Sequence, residues 1–97
     1  MPTYVTLQSF TERGIKEIKD IHTRDAELIK RLEALGIKVT AYYLVMGEYD
    51  EVVIWEAPSE EVAVAWLLEL GARGYRRSVT LPAFNNEQFE QALKGLP

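Results

Sequence analysis

Between Gly47 and Trp55 the chain reads Gly-Glu-Tyr-Asp-Glu-Val-Val-Ile-Trp, a glycine-centred turn leading into four consecutive apolar residues. A strand shows successive side chains on opposite faces, so Val52 and Ile54 point one way and Val53 and Trp55 the other. Both faces of such a strand ask for cover. The helices of one small chain cover one face of a sheet. A second cover must come from elsewhere, and another copy of the same chain is the expected source.

The rest of the chain supplies the partners for this strand. Thr3 to Phe10 alternates, with Val5 and Leu7 on one side and Tyr4, Thr6 and Gln8 on the other, and reads as a half-buried strand. Thr11 is placed to cap a helix whose first turn holds Glu12. Ile15, Ile18, Ile21, Ile29 and Leu32 follow one helical face, but Asp25 projects onto the same stripe, where a carboxylate is out of place. A break near Asp20 to Thr23 resolves this and gives two helical pieces, the second capped by Thr23 or Asp20 and ending at Gly36. Ile37 to Val45 is rich in β-branched and aromatic residues and forms a hairpin with the strand that begins near Asp50.

Pro58-Ser59 opens a helix running to about Ala72, apolar on nearly every side, which implies contact on more than one side. Tyr75 to Leu81 is a fourth strand, and Asn85 to Gln88 has the spacing of a capping box for a short final helix carrying Phe89 and Leu93. The order strand, helix, strand, strand, helix, strand predicts an α+β chain. It is a ferredoxin-like βαββαβ antiparallel sheet with helices on one face, expected to pair as a dimeric α/β barrel.

A length of 97 residues fits a single domain spanning residues 1–97. A domain of this size buries only roughly two-thirds of its unfolded surface, so self-association would add useful cover. The 47% hydrophobic and 27% charged content is that of a folded globular chain. A net charge of −4, with Arg73, Arg76 and Arg77 as the one local basic cluster, excludes a nucleic-acid surface. Absence of cysteine removes disulfides, thiolate metal sites and cysteine nucleophiles. No apolar run reaches the ~18 residues of a membrane span, and the N-terminal residues enter a strand without signal-peptide character, so a cytoplasmic location is expected.

Assigning faces gives the main expectation about function. Val5, Leu7, Val39, Ala41, Tyr43, Val52, Ile54, Val79 and Leu81 are placed under the helices. Tyr4, Thr6, Gln8, Thr40, Tyr42, Leu44, Val53, Trp55, Arg76, Ser78 and Thr80 then form the outer face, the one that meets a second copy. Four strands about 20 Å long at about 4.8 Å spacing make a face of roughly 400 Å². Two stacked faces remove roughly 800 Å² from water, worth at most about 20 kcal/mol gross against an association cost of about 4–15 kcal/mol.

Gly47, Tyr49 and Asp50, the opening Thr3-Tyr4-Val5-Thr6-Leu7, the segment from Phe10-Thr11-Glu12 to Gly14-Ile15-Lys16, and Thr80-Leu81-Pro82-Ala83-Phe84 together resemble the GYD domain family. The resemblance covers nearly the whole chain and implies a ferredoxin-like domain of the dimeric barrel kind. It carries no settled biochemical activity.

The candidate ligand-binding residues are Tyr4, Thr6, Tyr42, Tyr49, Asp50, Trp55, Arg76 and Ser78. If the barrel is hollow they make an aromatic-lined pocket in which Arg76 can hold an anion or carboxylate; if it is packed they fill the interface. Gly47, Tyr49 and Asp50 also have a structural reading as hairpin residues. Glu48 and Glu51 are expected to face water. His22 is the one histidine, enough for an axial haem ligand but more in keeping with a surface residue. Gly71-Ala72-Arg73-Gly74 lacks the lysine of a phosphate loop.

No set of residues specifies a reaction, and no cofactor or metal is implied. The expected role is a small dimeric module that binds a hydrophobic or aromatic molecule, or a protein partner. A cofactor-independent monooxygenase or isomerase with Asp50 or a tyrosine handling protons is the alternative, by analogy with related barrels. A regulatory effector unit acting through another chain is a third.

Overall fold

The computed structural model describes residues 1–97. The elements are β1 (Thr3–Phe10), α1 (Glu12–Lys16), a 3-10 turn (Ile18–Asp20), α2 (Ile21–Ala34), β2 (Lys38–Leu44), β3 (Glu51–Glu56), α3 (Glu60–Arg73), β4 (Arg76–Ala83) and α4 (Asn86–Lys94). Their order is the one read from the sequence. The strands form one sheet in the order β2-β3-β1-β4 with every neighbouring pair antiparallel, a ferredoxin-like α+β arrangement.

Local chemistry places the helix ends. The Thr11 hydroxyl accepts from the Gly14 backbone N–H, Ser59 caps α3 through Val62, and Asn85 with Gln88 forms the capping box of α4. The break after α1 falls at Glu17 to Asp20, so Asp20, the other expected cap, stands at the N-cap position of α2 without a side-chain hydrogen bond, and Thr23 lies inside the helix. Gly14 is buried where α1 crosses the end of α3, and a β-carbon there would collide with the Tyr75 carbonyl oxygen. The same junction is held by Thr11, whose backbone N–H donates to Tyr75 O (3.1 Å) and whose hydroxyl donates to Gly74 O (2.7 Å).

The core lies between the sheet and helices α2 and α3. Tyr4 and Trp55, paired across β1 and β3 with ring centroids 4.7 Å apart, pack with Leu28 of α2 and the Ala63, Trp66, Leu70 stripe of α3. This reverses the expected assignment of faces. In β1, β3 and β4 the residues group as predicted, but Tyr4, Thr6, Gln8, Trp55 and Arg76 are the buried ones. Val79, Leu81 and Tyr43, placed under the helices by the sequence reading, are exposed. The large aromatic rings fill the space beneath the helices, and the buried charged and hydroxyl groups beside them are paired, as described below.

In β2 the strict alternation also fails. A register shift between Val39 and Ala41 puts both Val39 and Tyr42 on the helix-covered side, opposite Trp55 and Val53. The helix α3 is buried along one stripe alone, and its Val64 and Leu68 are exposed. No residue of α4 is buried, and Phe84, Phe89, Leu93 and Leu96 lie open along the C-terminal segment. The shape follows: a radius of gyration of 15.1 Å and extents of 53 × 32 × 19 Å, against about 13 Å for a compact 100-residue chain. No helix is long and apolar enough to cross a membrane.

Candidate functional site

The side chains that β1, β3 and β4 send under the helices are unusually polar for a core. Gln8 of β1 lies across from Glu51 of β3 and Ser78 of β4 in the antiparallel register. Arg76, at the start of β4, reaches over this row. Its Nε donates to Glu51 Oε1 at 2.6 Å and its Nη2 to Glu51 Oε2 at 3.2 Å. From the other side Nη1 and Nη2 donate to Asp25 Oδ1 and Oδ2 at 2.9 and 3.0 Å. The Gln8 amide N–H2 donates to Glu51 Oε1 at 3.2 Å, and the Tyr42 hydroxyl donates to Glu51 Oε2.

Glu51 is 0% exposed, so the expectation that it faces water is wrong. A bare buried carboxylate would be prohibitive, but four N–H or O–H donations from three side chains make this one tolerable. The planar guanidinium fork is what lets one side chain serve two carboxylates at once. Burial alone would lower the Arg76 pKa; the hydrogen bonds it donates to Asp25 and Glu51 outweigh it and the net shift is upward. Burial, the hydrogen bond to Glu51 and that carboxylate's charge all raise the Tyr42 pKa, so the phenol stays a donor. Two carboxylates facing one guanidinium leave one formal negative charge in excess.

Next to this cluster a second polar chain runs across the sheet. The Trp55 indole N–H donates to Thr6 Oγ1 at 2.7 Å, and Thr6 Oγ1 lies 2.8 Å from Thr80 Oγ1. Between these groups and α2 is a cleft of about 480 Å³. Its walls are Leu28, Ile29 and Leu32 of α2 with Val39, Val53 and Trp66; Thr6, Gln8, Tyr42, Asp25 and Arg76 form its polar end, and His22 lies at its rim.

Of the eight residues singled out by sequence, Thr6, Tyr42, Trp55 and Arg76 line this cleft together. Tyr4 is buried against Trp55 and does not line it. Ser78 is exposed on β4. Tyr49 is half-buried in the connection between β2 and β3. Asp50 serves the sheet: its side chain accepts from the Phe10 backbone N–H (2.9 Å), its own N–H donates to Gln8 O and its C=O accepts from Val45 N–H. With Gly47 at φ 123°, a conformation that disfavours other residues, the hairpin reading accounts for Gly47 and Asp50. Arg76 is not free to take an anion, since all three of its nitrogens are already bonded to carboxylates.

Gln8, Asp25 and Glu51 are the site residues that pattern reading passed over. The signal was present in two of them. Asp25 interrupts an apolar helical stripe, and Glu51 alternates in phase with Val53 and Trp55. A lone basic residue at an inward strand position, Arg76, is the partner that both require.

A GYD domain family model matches residues 4–93. The chain belongs to the GYD domain family. Among curated proteins it is similar to the glutamine synthetase and cystathionine beta-lyase binding protein of Thermus thermophilus, 33% identical over 84 residues, which are 86% of this chain and 88% of that protein. No solved structure matches the chain. The resemblance read from Gly47, Tyr49, Asp50 and the flanking segments is therefore a true family relationship. In this GYD domain protein the matched span includes every residue of the buried cluster, from Gln8 to Arg76.

Proposed function

We propose that this protein is a homodimeric binding module that acts by associating with other proteins. One observation carries the reading: the sheet face away from the helices is apolar and bare. Val5, Leu7, Ala41, Val52 and Ile54 are only partly covered there, and Tyr43, Val79 and Leu81 are exposed. A face of roughly 400 Å² falls within the range of about 300–600 Å² of the largest patches on monomers, which are often functional.

The occupant that fits is a second copy. Two stacked faces bury roughly 800 Å², short of the about 1,200 Å² at which stable interfaces begin. The uncovered C-terminal segment makes up the difference. Phe84 is 74% and Phe89 57% exposed, and an aromatic side chain offers about 150–250 Å² when covered. Four such rings in a pair of chains add on the order of 400 Å². In this arrangement α4 reaches across the partner, and the exposed flank of α3 at Val64 and Leu68 is the nearest apolar surface type it could meet. The barrel interior would then be formed by aliphatic side chains, a packed seam in place of a pocket.

The name of the Thermus relative ties that protein to glutamine synthetase and cystathionine beta-lyase. We read this chain as a protein of the same kind, with an enzyme as partner for the assembled dimer. Sedimentation equilibrium at micromolar concentration should give twice the 11.1 kDa chain mass, and Leu81→Glu should return the protein to one chain mass. A wild-type protein that stays at 11.1 kDa would remove the proposal. Interferometry against purified glutamine synthetase from the same organism then tests the partner.

A second reading is favoured by the cleft itself. Its volume and mixture of apolar walls with a few convergent polar groups are those of a small-molecule site. Because the cleft and the bare face lie on opposite sides of the sheet, one module can carry both functions.

A further inference from the structure

We propose that the cleft between α2 and the sheet binds a small amphipathic amine, with its apolar body between Ile29, Leu32 and Trp66 and its protonated head at Asp25, Gln8 and Tyr42. This rests on reading the cleft as a small-molecule site; it does not depend on self-association.

The volume of about 480 Å³ falls within the usual range for such sites and suits a molecule of one or two rings. The polar end decides the chemistry of the head. Gln8 directs its amide N–H2 to Glu51, so its oxygen is the free end, and that oxygen accepts no hydrogen bond within the chain. Tyr42 donates to Glu51 and keeps acceptor capacity on its oxygen. Each Asp25 oxygen accepts one Arg76 N–H and retains a second lone pair, and the Asp25 side chain is 25% exposed, unlike Glu51. Gln8, Tyr42 and Asp25 thus each offer an acceptor to the space, while the Thr6 hydroxyl and the Arg76 nitrogens are engaged within the chain.

Charge points the same way. The guanidinium that would attract an anion is already committed to two carboxylates, and the cluster carries one negative charge in excess. A carboxylate head would meet acceptors and a repelling field. An alcohol head would satisfy a hydrogen bond without gaining from the charge. An ammonium head does both.

The test is a titration of the 15N-labelled full chain at pH 8 with 2-phenylethylamine, 2-phenylethanol and 3-phenylpropanoate. It follows the indole N–H signals of Trp55 and Trp66 and the Gln8 side-chain amide. The amine should bind about tenfold or more tightly than the alcohol, and the carboxylate more weakly still. Asp25→Asn should abolish the preference of amine over alcohol. Ile29→Trp, at an exposed helix position on the cleft wall, should block all three probes while leaving the sedimentation mass unchanged.

If no probe moves these signals at millimolar concentration, the cleft is not a small-molecule site and the reading beneath the proposal fails with it. If the carboxylate or the alcohol binds as well as the amine, or Asp25→Asn keeps the preference, the amine assignment alone is overturned. Unaltered binding in Ile29→Trp would place the site elsewhere. A monomeric result in sedimentation touches none of these outcomes.

Discussion

Under the helices, the sheet presents Thr6, Gln8, Glu51 and Arg76 among its two aromatic rings; on the open side it presents Val5, Leu7, Ile54, Val79 and Leu81. The polar set is buried and the aliphatic set is wet. Polarity of single residues therefore does not decide which face of a sheet turns inward. What decides is whether the polar groups can be satisfied together. Gln8, Tyr42, Glu51, Asp25 and Arg76 close on one another, and Trp55, Thr6 and Thr80 form a second closed set. The aliphatic face needs no such matching and can be covered by any complementary apolar surface. One face is specified within the chain, and the other is left uncovered by the chain's own elements.

Substitutions on the two faces should behave differently, and the largest effect belongs to the buried side. Arg76→Met leaves Glu51 buried beside Asp25 with no cation between them. Equilibrium urea unfolding should show a loss of about 3–5 kcal/mol, the same at every protein concentration. A loss below about 1 kcal/mol would mean that water already reaches the cluster and that the contrast between the faces is weaker than the geometry indicates.

Tyr42→Phe comes next. It removes one donor from a carboxylate that no solvent reaches, at a cost of about 1–3 kcal/mol. Its pH profile sharpens the assignment. The folded-state pKa of Tyr42 lies above its ordinary value of 10.0, so the native state holds this proton more tightly than the unfolded chain does. The stability it contributes is complete below pH 10 and is lost as pH rises through the folded-state value. Unfolding followed upward from pH 9 should decline more steeply in the wild type than in Tyr42→Phe. Parallel profiles would show that the phenol does not report on Glu51.

The smallest effect on the protomer is expected on the bare face. Val79→Thr should change the stability of the isolated chain by no more than about 0.5 kcal/mol, because the side chain has little cover to lose. In the proposed dimer the same change should appear as a penalty that grows with protein concentration, since association stabilises by mass action. A concentration-independent loss would move Val79 into the protomer's own core and erase the difference between the faces.

Reading the chain without coordinates was sound where the signal is local. Thr11, Ser59 and Asn85 cap the helices assigned to them, because capping needs only a short side chain and the amides two or three residues on. The strands emerged from alternation, and the residues of β1, β3 and β4 were grouped into faces correctly. Asp25 was seen as a fault in an apolar stripe. Its partner is 51 positions away, and no spacing rule reaches that far. Thr40 was read as one more step in an alternating strand, but the register shift beside it puts Val39 on the same side as Tyr42 and Trp55. Such a shift depends on the neighbouring strand rather than on the bulged residues alone.

The amino-acid order by itself determined the succession of elements, their caps, the family and the sense that one sheet face would lack a cover in a single chain. Which face that is, and the joining of Asp25, Glu51 and Arg76 into one buried set beside a cleft, was decided by the tertiary structure. The reason is that a periodic pattern reports only which side chains point together. The sign of their contribution depends on partners brought from distant parts of the chain, since a charge is costly in a core when alone and acceptable there when paired.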